Sequence, residues 1–158
     1  MSDTKYTHRY LARIVIEAIT PLSIGSGQKD VISDAMVVLD INGFPYIPGT
    51  SLAGVIRHAI GENDAKEFFG YQDQKEPSKG HGSDIIFTSA QMIGEDGKVI
   101  DGLADRKKFN STFYKHFEKL PVRQHVKISE KGTSEERGKF DEQVVFKGTR
   151  FCFEIEMV

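Results

Sequence analysis

Between Phe44 and Arg57 the chain reads FPYIPGTSLAGVIR, the stretch whose residue types and order point most directly to chemistry. A short β-forming run ends at Pro48-Gly49. Thr50 and Ser51 follow, and Leu52, Val55, Ile56, Ala59 and Ile60 then recur at helical spacing. Such a run predicts a strand, a sharp turn, and a helix capped by Thr50 or Ser51 with one apolar face. A helix start gathers amide N–H groups and the positive end of the helix dipole, so its amides and hydroxyls suit a phosphate. Arg57, one turn in, is placed to bring a guanidinium to the same phosphate, and Gly54 leaves room for another backbone. The same pattern also describes an ordinary capped helix packed on a sheet.

A second stretch, residues 105–131, carries eight Lys/Arg against three Asp/Glu, with His116 and His125 in addition. Phe109, Phe113, Tyr114 and Phe117 are interleaved with that charge, a combination that holds phosphates and stacks bases when the rings are exposed. A solvated helix whose rings face the core is the plainer expectation. Other chemistries are excluded by pattern. Gly25-Ser26-Gly27 has neither the spacing of a phosphate loop nor a following helix, and no HExxH or GxSxG is present. Cys152 is the single cysteine, which excludes a disulfide framework and a cysteine-based zinc site.

These groups need a scaffold, and 158 residues suit one domain. No apolar run reaches the ~20 residues of a membrane span, and MSDTKYTHRY has no apolar signal region, so a cytoplasmic protein is expected. The net charge of −2 confines any nucleic-acid binding to a local patch. Residues 10–19 read as a strand ended by Pro21, followed by a glycine-punctuated loop. Residues 35–39 form a second strand, and Asp40-Ile41-Asn42-Gly43 turns the chain into FPYI as a hairpin. After the helix from Thr50, closed by Gly61, a short helical turn covers Ala65–Phe69. Residues 71–83 read as a mobile loop, 84–92 as one strand and 105–119 as a helix. A strand follows Pro121, 129–139 is a charged loop, and 140–157 makes two strands about Lys147-Gly148. Strands mixed with two or three helices give an α+β class.

PYIPGTSLAGVIR resembles the signature of the RAMP superfamily, the RNA-binding subunits of CRISPR effector complexes. Pro21-Leu22-Ser23-Ile24-Gly25-Ser26-Gly27 is similar to that family's glycine-rich loop. Phe68-Phe69-Gly70, then Ser83-Asp84-Ile85-Ile86-Phe87-Thr88-Ser89-Ala90, resembles its FG…FxDA step. Arg123-Gln124-His125-Val126-Lys127-Ile128, Gly132, Gly138-Lys139-Phe140-Asp141-Glu142-Gln143-Val144-Val145 and Gly148-Thr149-Arg150-Phe151 are similar to its RxxVxI…G…LFxxExVxxGTxF run. The order holds over almost the whole chain and resembles most closely the type III backbone subunit, the Cas-seven-like group.

The resemblance implies a modified RRM, or ferredoxin-like, antiparallel sheet with helices on one face and an inserted thumb, as a single domain over residues 1–158. It implies guide RNA and target RNA as partners, together with other RAMP subunits and the large effector subunit, in antiviral defence. It assigns RNA contacts to Ser23, Gly25, Gly27, Gly49, Thr50, Ser51, Arg57, Arg123 and His125. It also implies that a loop aspartate cuts target RNA. Counting back from Pro48, Asp34 matches that aspartate and Asp30 is the runner-up. Asp34 would hold Mg²⁺ or accept a proton. The alternatives are a subunit that only scaffolds RNA, and a guide-processing nuclease with His58 or His125 as base. Ala53 stands where the family often has a lysine, and Ser23 where it often has a histidine. Family members usually continue beyond the GTxF strand, so the resemblance implies a fragment, a split subunit or a domain of a fused effector lacking its C-terminal part.

Overall fold

The computed structural model describes residues 8–27, 35–73, 75–128 and 134–158. The elements are β1 (Tyr10–Glu17), α1 (Gly49–Ala59), α2 (Glu62–Phe69), β2 (Ile85–Phe87), β3 (Gln91–Met92), α3 (Thr112–Lys115), β4 (Val122–Ile128), β5 (Ser134–Gln143) and β6 (Arg150–Met157). Among the described residues no helix is long and apolar enough to cross a membrane. The contacts divide the chain into one unit of Met1–Val15, Ile47–Ala90 and Cys152–Val158, and another of Ile16–Tyr46 and Gln91–Phe151.

In the first unit β6 lies between β1 and β2. β2 runs antiparallel to it in the register Ile85↔Met157, Ile86↔Glu156, Phe87↔Ile155. Strand alternation sends successive side chains to opposite faces. One face carries the stacked rings of Phe69, Phe87 and Phe153, at 5.7 Å and 6.4 Å, which fixes α2 over the sheet. On the other face Arg9 pairs with Glu156 and Arg13 with Glu154. Leu11, Val15 and Ile86 stand exposed there.

α1 starts earlier than its hydroxyls suggest. Pro48 is the N-cap, Gly49 is the first helical residue, and no side chain caps the helix. The reason is steric. A Cβ on Gly49 would run into the backbone carbonyl of Phe87 and come within 3.0 Å of that of Thr88. The helix start thus lies directly on the end of β2, with the Ile47↔Ala90 bridge beside it. The helix face predicted to be apolar is only partly covered, and Val55 is 71% exposed. Gly70, at φ +72, similarly abuts the backbone of His81 and Gly82. There Tyr71 and His81 exchange two 2.9 Å backbone hydrogen bonds that close the 71–83 loop at its base.

In the second unit the Asp40–Gly43 turn forms as predicted. The Asp40 carboxylate accepts from the amides of Asn42 and Phe44 at 2.9 and 2.8 Å, and Gly43 takes φ +86. Phe44 then enters a ring cluster with Phe109, Tyr114 and Phe117 at 4.8, 5.5 and 6.1 Å. That convergence breaks the helix predicted over 105–119 into two 3₁₀ turns flanking the single turn α3. Residues 84–92 likewise form two short strands rather than one. β4 and β5 make an antiparallel hairpin from Val122↔Gln143 to Ile128↔Ser134, so residues 134–139, expected in a loop, are strand. Backbone pairing with β4 overrides their polar composition.

Candidate functional site

Two sets of candidate residues emerge, one in each unit. In the first, Thr50 and Ser51 are exposed in the opening turn of α1, while Gly49 is buried beneath them. The amide of Gly49 donates to Ser89 Oγ at 3.3 Å, and those of Ser51 and Leu52 to the Pro48 carbonyl at 2.9 and 3.2 Å. A phosphate at this terminus would therefore meet the two hydroxyls and the helix dipole more than these amides. Arg57 lies in the last turn. Seven residues of α-helix separate it from Thr50, a rise of about 10 Å, so the two do not converge on one phosphate as expected. Arg57 instead edges a shallow hollow with Gly54, His58, Gly61, Glu62 and Lys66. Among the described residues a Cβ on Gly54 would meet nothing beyond its own helix within 4 Å, so the close backbone approach expected there occurs at Gly49.

In the second unit the glycine-rich loop and the β4–β5 hairpin meet at Glu142. The Ser23 hydroxyl donates to Glu142 Oε1 at 2.5 Å, and His125 Nε2 lies 3.1 Å from Glu142 Oε2. The His125 ring stacks on Phe140 at 4.8 Å and 8°. Arg123 stands exposed on β4, directly opposite Glu142 in the register. Backbone bonds bring Ala35 to the same place. Its amide donates to the Asp141 carbonyl at 3.3 Å, and its carbonyl accepts from the Gln143 amide at 2.9 Å. Gln143 Oε1 accepts from the Val37 amide at 3.0 Å. Gly25 pairs with Val37, and Gly27, at φ +74, faces open space.

The structure thus brings Ser23, Arg123 and His125 to a carboxylate that none of the site assignments included, and links Gly25 through Val37 to the neighbouring Gln143. The only signal for Glu142 was its place in the ExV step of the resemblance. Asp34 and Asp30 lie outside the described residues, although Ala35, next in the chain to Asp34, is within this cluster. Among the described residues no group of three or more His, Cys, Asp or Glu side chains could hold a metal ion. Of the basic-aromatic stretch, Tyr114 and Phe117 are buried and Phe109 and Phe113 half-buried, as the plainer expectation held, while His116 is exposed.

A mixed helix and antiparallel-sheet domain with these signature turns defines an RRM-like class of protein. The RAMP superfamily model matches residues 15–157, and the chain belongs to that superfamily. Its fold is similar to a chain of the type III-B Cmr-beta complex bound to cognate target RNA, solved by cryo-EM. The TM-score is 0.64 at 13% identity, over 94% of this chain and 84% of that one. A chain of the apo Cmr-beta complex gives a TM-score of 0.60 at 14% identity over the same shares. No curated protein matches in sequence.

Proposed function

We propose that this chain is a guide-RNA-binding backbone subunit of a type III CRISPR effector, and that Asp34 cleaves the complementary target RNA. The match to the RAMP superfamily over residues 15–157 carries this reading, and the fold shared with Cmr-beta chains supports it. Backbone binding requires cations and hydroxyls on exposed, rigid elements and needs no base-specific groups. Thr50 and Ser51 at one end of α1 and Arg57 at the other would engage successive phosphates. Arg123 and His125 would engage RNA from the hairpin. Cleavage follows an in-line attack, in which the 2′-hydroxyl oxygen bonds to the adjacent phosphorus and the bond to the 5′ oxygen breaks. Asp34 accepts the 2′-hydroxyl proton or holds a divalent cation. Mg²⁺ commonly uses one or two carboxylates plus substrate phosphates, so one aspartate and an RNA strand are a sufficient donor set.

The test uses the chain purified with its co-expressed partners and RNA. Short co-purifying RNAs with a shared repeat-derived tag are expected. Asp34→Ala should abolish target cleavage and leave guide and target affinity within about twofold, since binding rests on the phosphate contacts. Asp30→Ala should do less, and chelating divalent cations should mimic Asp34→Ala. Wild-type complex that binds target without cutting it would favour the scaffold reading instead. Arg57→Ala should weaken guides of different sequence equally and reduce the salt slope of binding by about one. Binding insensitive to salt would overturn the phosphate assignment.

A further inference from the structure

We propose that a groove in the second unit, between the rings of Phe113, His116 and Phe146 and the cations Lys147 and Arg150, binds one unstacked nucleotide. The base would lie against the rings and the phosphate on the two cations. The groove encloses about 430 Å³, within the range typical of small-ligand sites. Phe117, buried beneath it, contacts Phe113 at 5.4 Å and Phe146 edge-on at 5.8 Å. His116 meets Phe146 at 6.2 Å. One buried ring thus holds two half-buried rings in place, and the exposed His116 extends the wall. A preset aromatic wall of this kind suits a base, because every base has a π face.

The charges specify the rest of the ligand. Lys147 and Arg150 are exposed on the groove's rim, and among the described residues neither is in an ion pair. Among the described residues Glu95 is the single acidic side chain lining the groove. The turn that presents Lys147 is fixed by its backbone. Gly148, at φ +87, donates to the Ala18 carbonyl at 2.7 Å. The site therefore favours a ligand both aromatic and anionic, with the cations reading phosphate. The inference rests on the RNA-binding reading only for the source of the nucleotide, which is an RNA strand rather than a free mononucleotide.

The experiment measures binding of a single-stranded RNA carrying 4-thiouridine, and separately of UMP and AMP, to the purified protein. Crosslinked peptides are mapped by mass spectrometry. Crosslinks to residues 113–117 or 146–150 are expected. The double variant K147E/R150E should lose roughly tenfold in RNA affinity. Phe113→Leu, which keeps apolar bulk but removes the π face, should lose about fivefold in RNA affinity while its melting temperature falls by only a few degrees from the lost ring contact with Phe117. Variants that bind RNA as well as the wild type, with wild-type crosslinks mapping elsewhere, overturn the groove while the RNA reading stands. Mononucleotide binding that these variants abolish, with no RNA binding by the wild type, keeps the groove and overturns its RNA source. Variants that bind RNA and nucleotides normally but fail to assemble with protein partners overturn the nucleotide in favour of a protein ligand. Binding of neither RNA nor nucleotide overturns both.

Discussion

The opening of α1 and the centre at Glu142 show two ways of building a polar surface. At α1 the candidate hydroxyls and the glycine beneath them are consecutive, Gly49 to Ser51, and their placement depends on the close packing of Gly49 on the end of β2 and its bond to Ser89. At Glu142 the partners come from far apart. Ser23 is 119 residues from the carboxylate that accepts its hydrogen bond, and His125 is 17 residues from it. The first surface is held by backbone packing, so its exposed side chains are free to serve a ligand. In the second, the side chains assigned to the ligand also hold the structure together. Substitutions should therefore separate stability from binding at α1 and couple them at Glu142.

The largest effect tests the packing half of this contrast. Gly49→Ala places a Cβ against the carbonyls of Phe87 and Thr88, backbone atoms that cannot move aside as a side chain would. Overpacking of this kind costs about 2–3 kcal/mol, a fall of roughly 5–10 °C in Tm for a chain of this size. Gly54→Ala, one turn along the same helix, meets only open space. It should stabilise by up to about 1 kcal/mol through helix propensity. Thermal melts of the two variants check the difference. Equal effects would show that α1 does not rest on β2 in this way.

The same contrast explains what could be read in the sequence. The Asp40–Gly43 turn and the Pro48-Gly49 break were legible because their determinants are local: an Asx turn, a positive-φ glycine, a proline. The α+β class followed from strands mixed with helices, and the end of α2 at Phe69 was legible although the helix starts at Glu62, three residues before the expected Ala65. Residues 105–119 were misread as one helix because Phe109, Tyr114 and Phe117 converge on Phe44, a partner more than sixty residues earlier. The strand character of residues 134–139 was hidden because backbone pairing, not hydrophobic alternation, holds them to β4. Apart from its place in the ExV step, nothing in the sequence marked Glu142 as a candidate. A single carboxylate in a charged stretch acquires meaning only when Ser23 and His125 are brought to it.

An intermediate effect tests the coupling at Glu142. Glu142→Ala removes the acceptor of Ser23 and the partner of His125 together. Each bond to an ionised carboxylate is worth more than a neutral one, yet both sites are partly solvated. A loss of about 1–2 kcal/mol in stability is expected. RNA affinity should fall as well, by roughly fivefold, because the His125 ring loses the carboxylate that orients it. Glu142→Gln keeps one oxygen as an acceptor and should recover most of the stability. Denaturant melts and salt-matched RNA titrations separate the two readouts. A stability loss with unaltered affinity would mean that the hairpin centre is structural only and that α1 carries the RNA.

The smallest effect belongs to the open sheet face, where ion pairs rather than packing or ligands occupy the surface. The Arg9 guanidinium donates to Glu156 and holds its carboxyl below the ordinary glutamate range, the hydrogen bond being the main cause. A carboxyl whose folded pKa is depressed contributes its stabilisation above its unfolded pKa, about 4.3. It loses that contribution as pH falls through the folded value. Arg9 stays charged throughout and adds no pH dependence of its own. Both partners contact solvent, with Arg9 62% exposed along its side chain, so the contribution is screened and small. The Tm of the wild type should therefore fall slightly more than that of Arg9→Met between neutral pH and about pH 3, and the difference should vanish in about 1 M salt. Parallel pH curves for the two proteins would show that the Arg9–Glu156 pair adds nothing to folding.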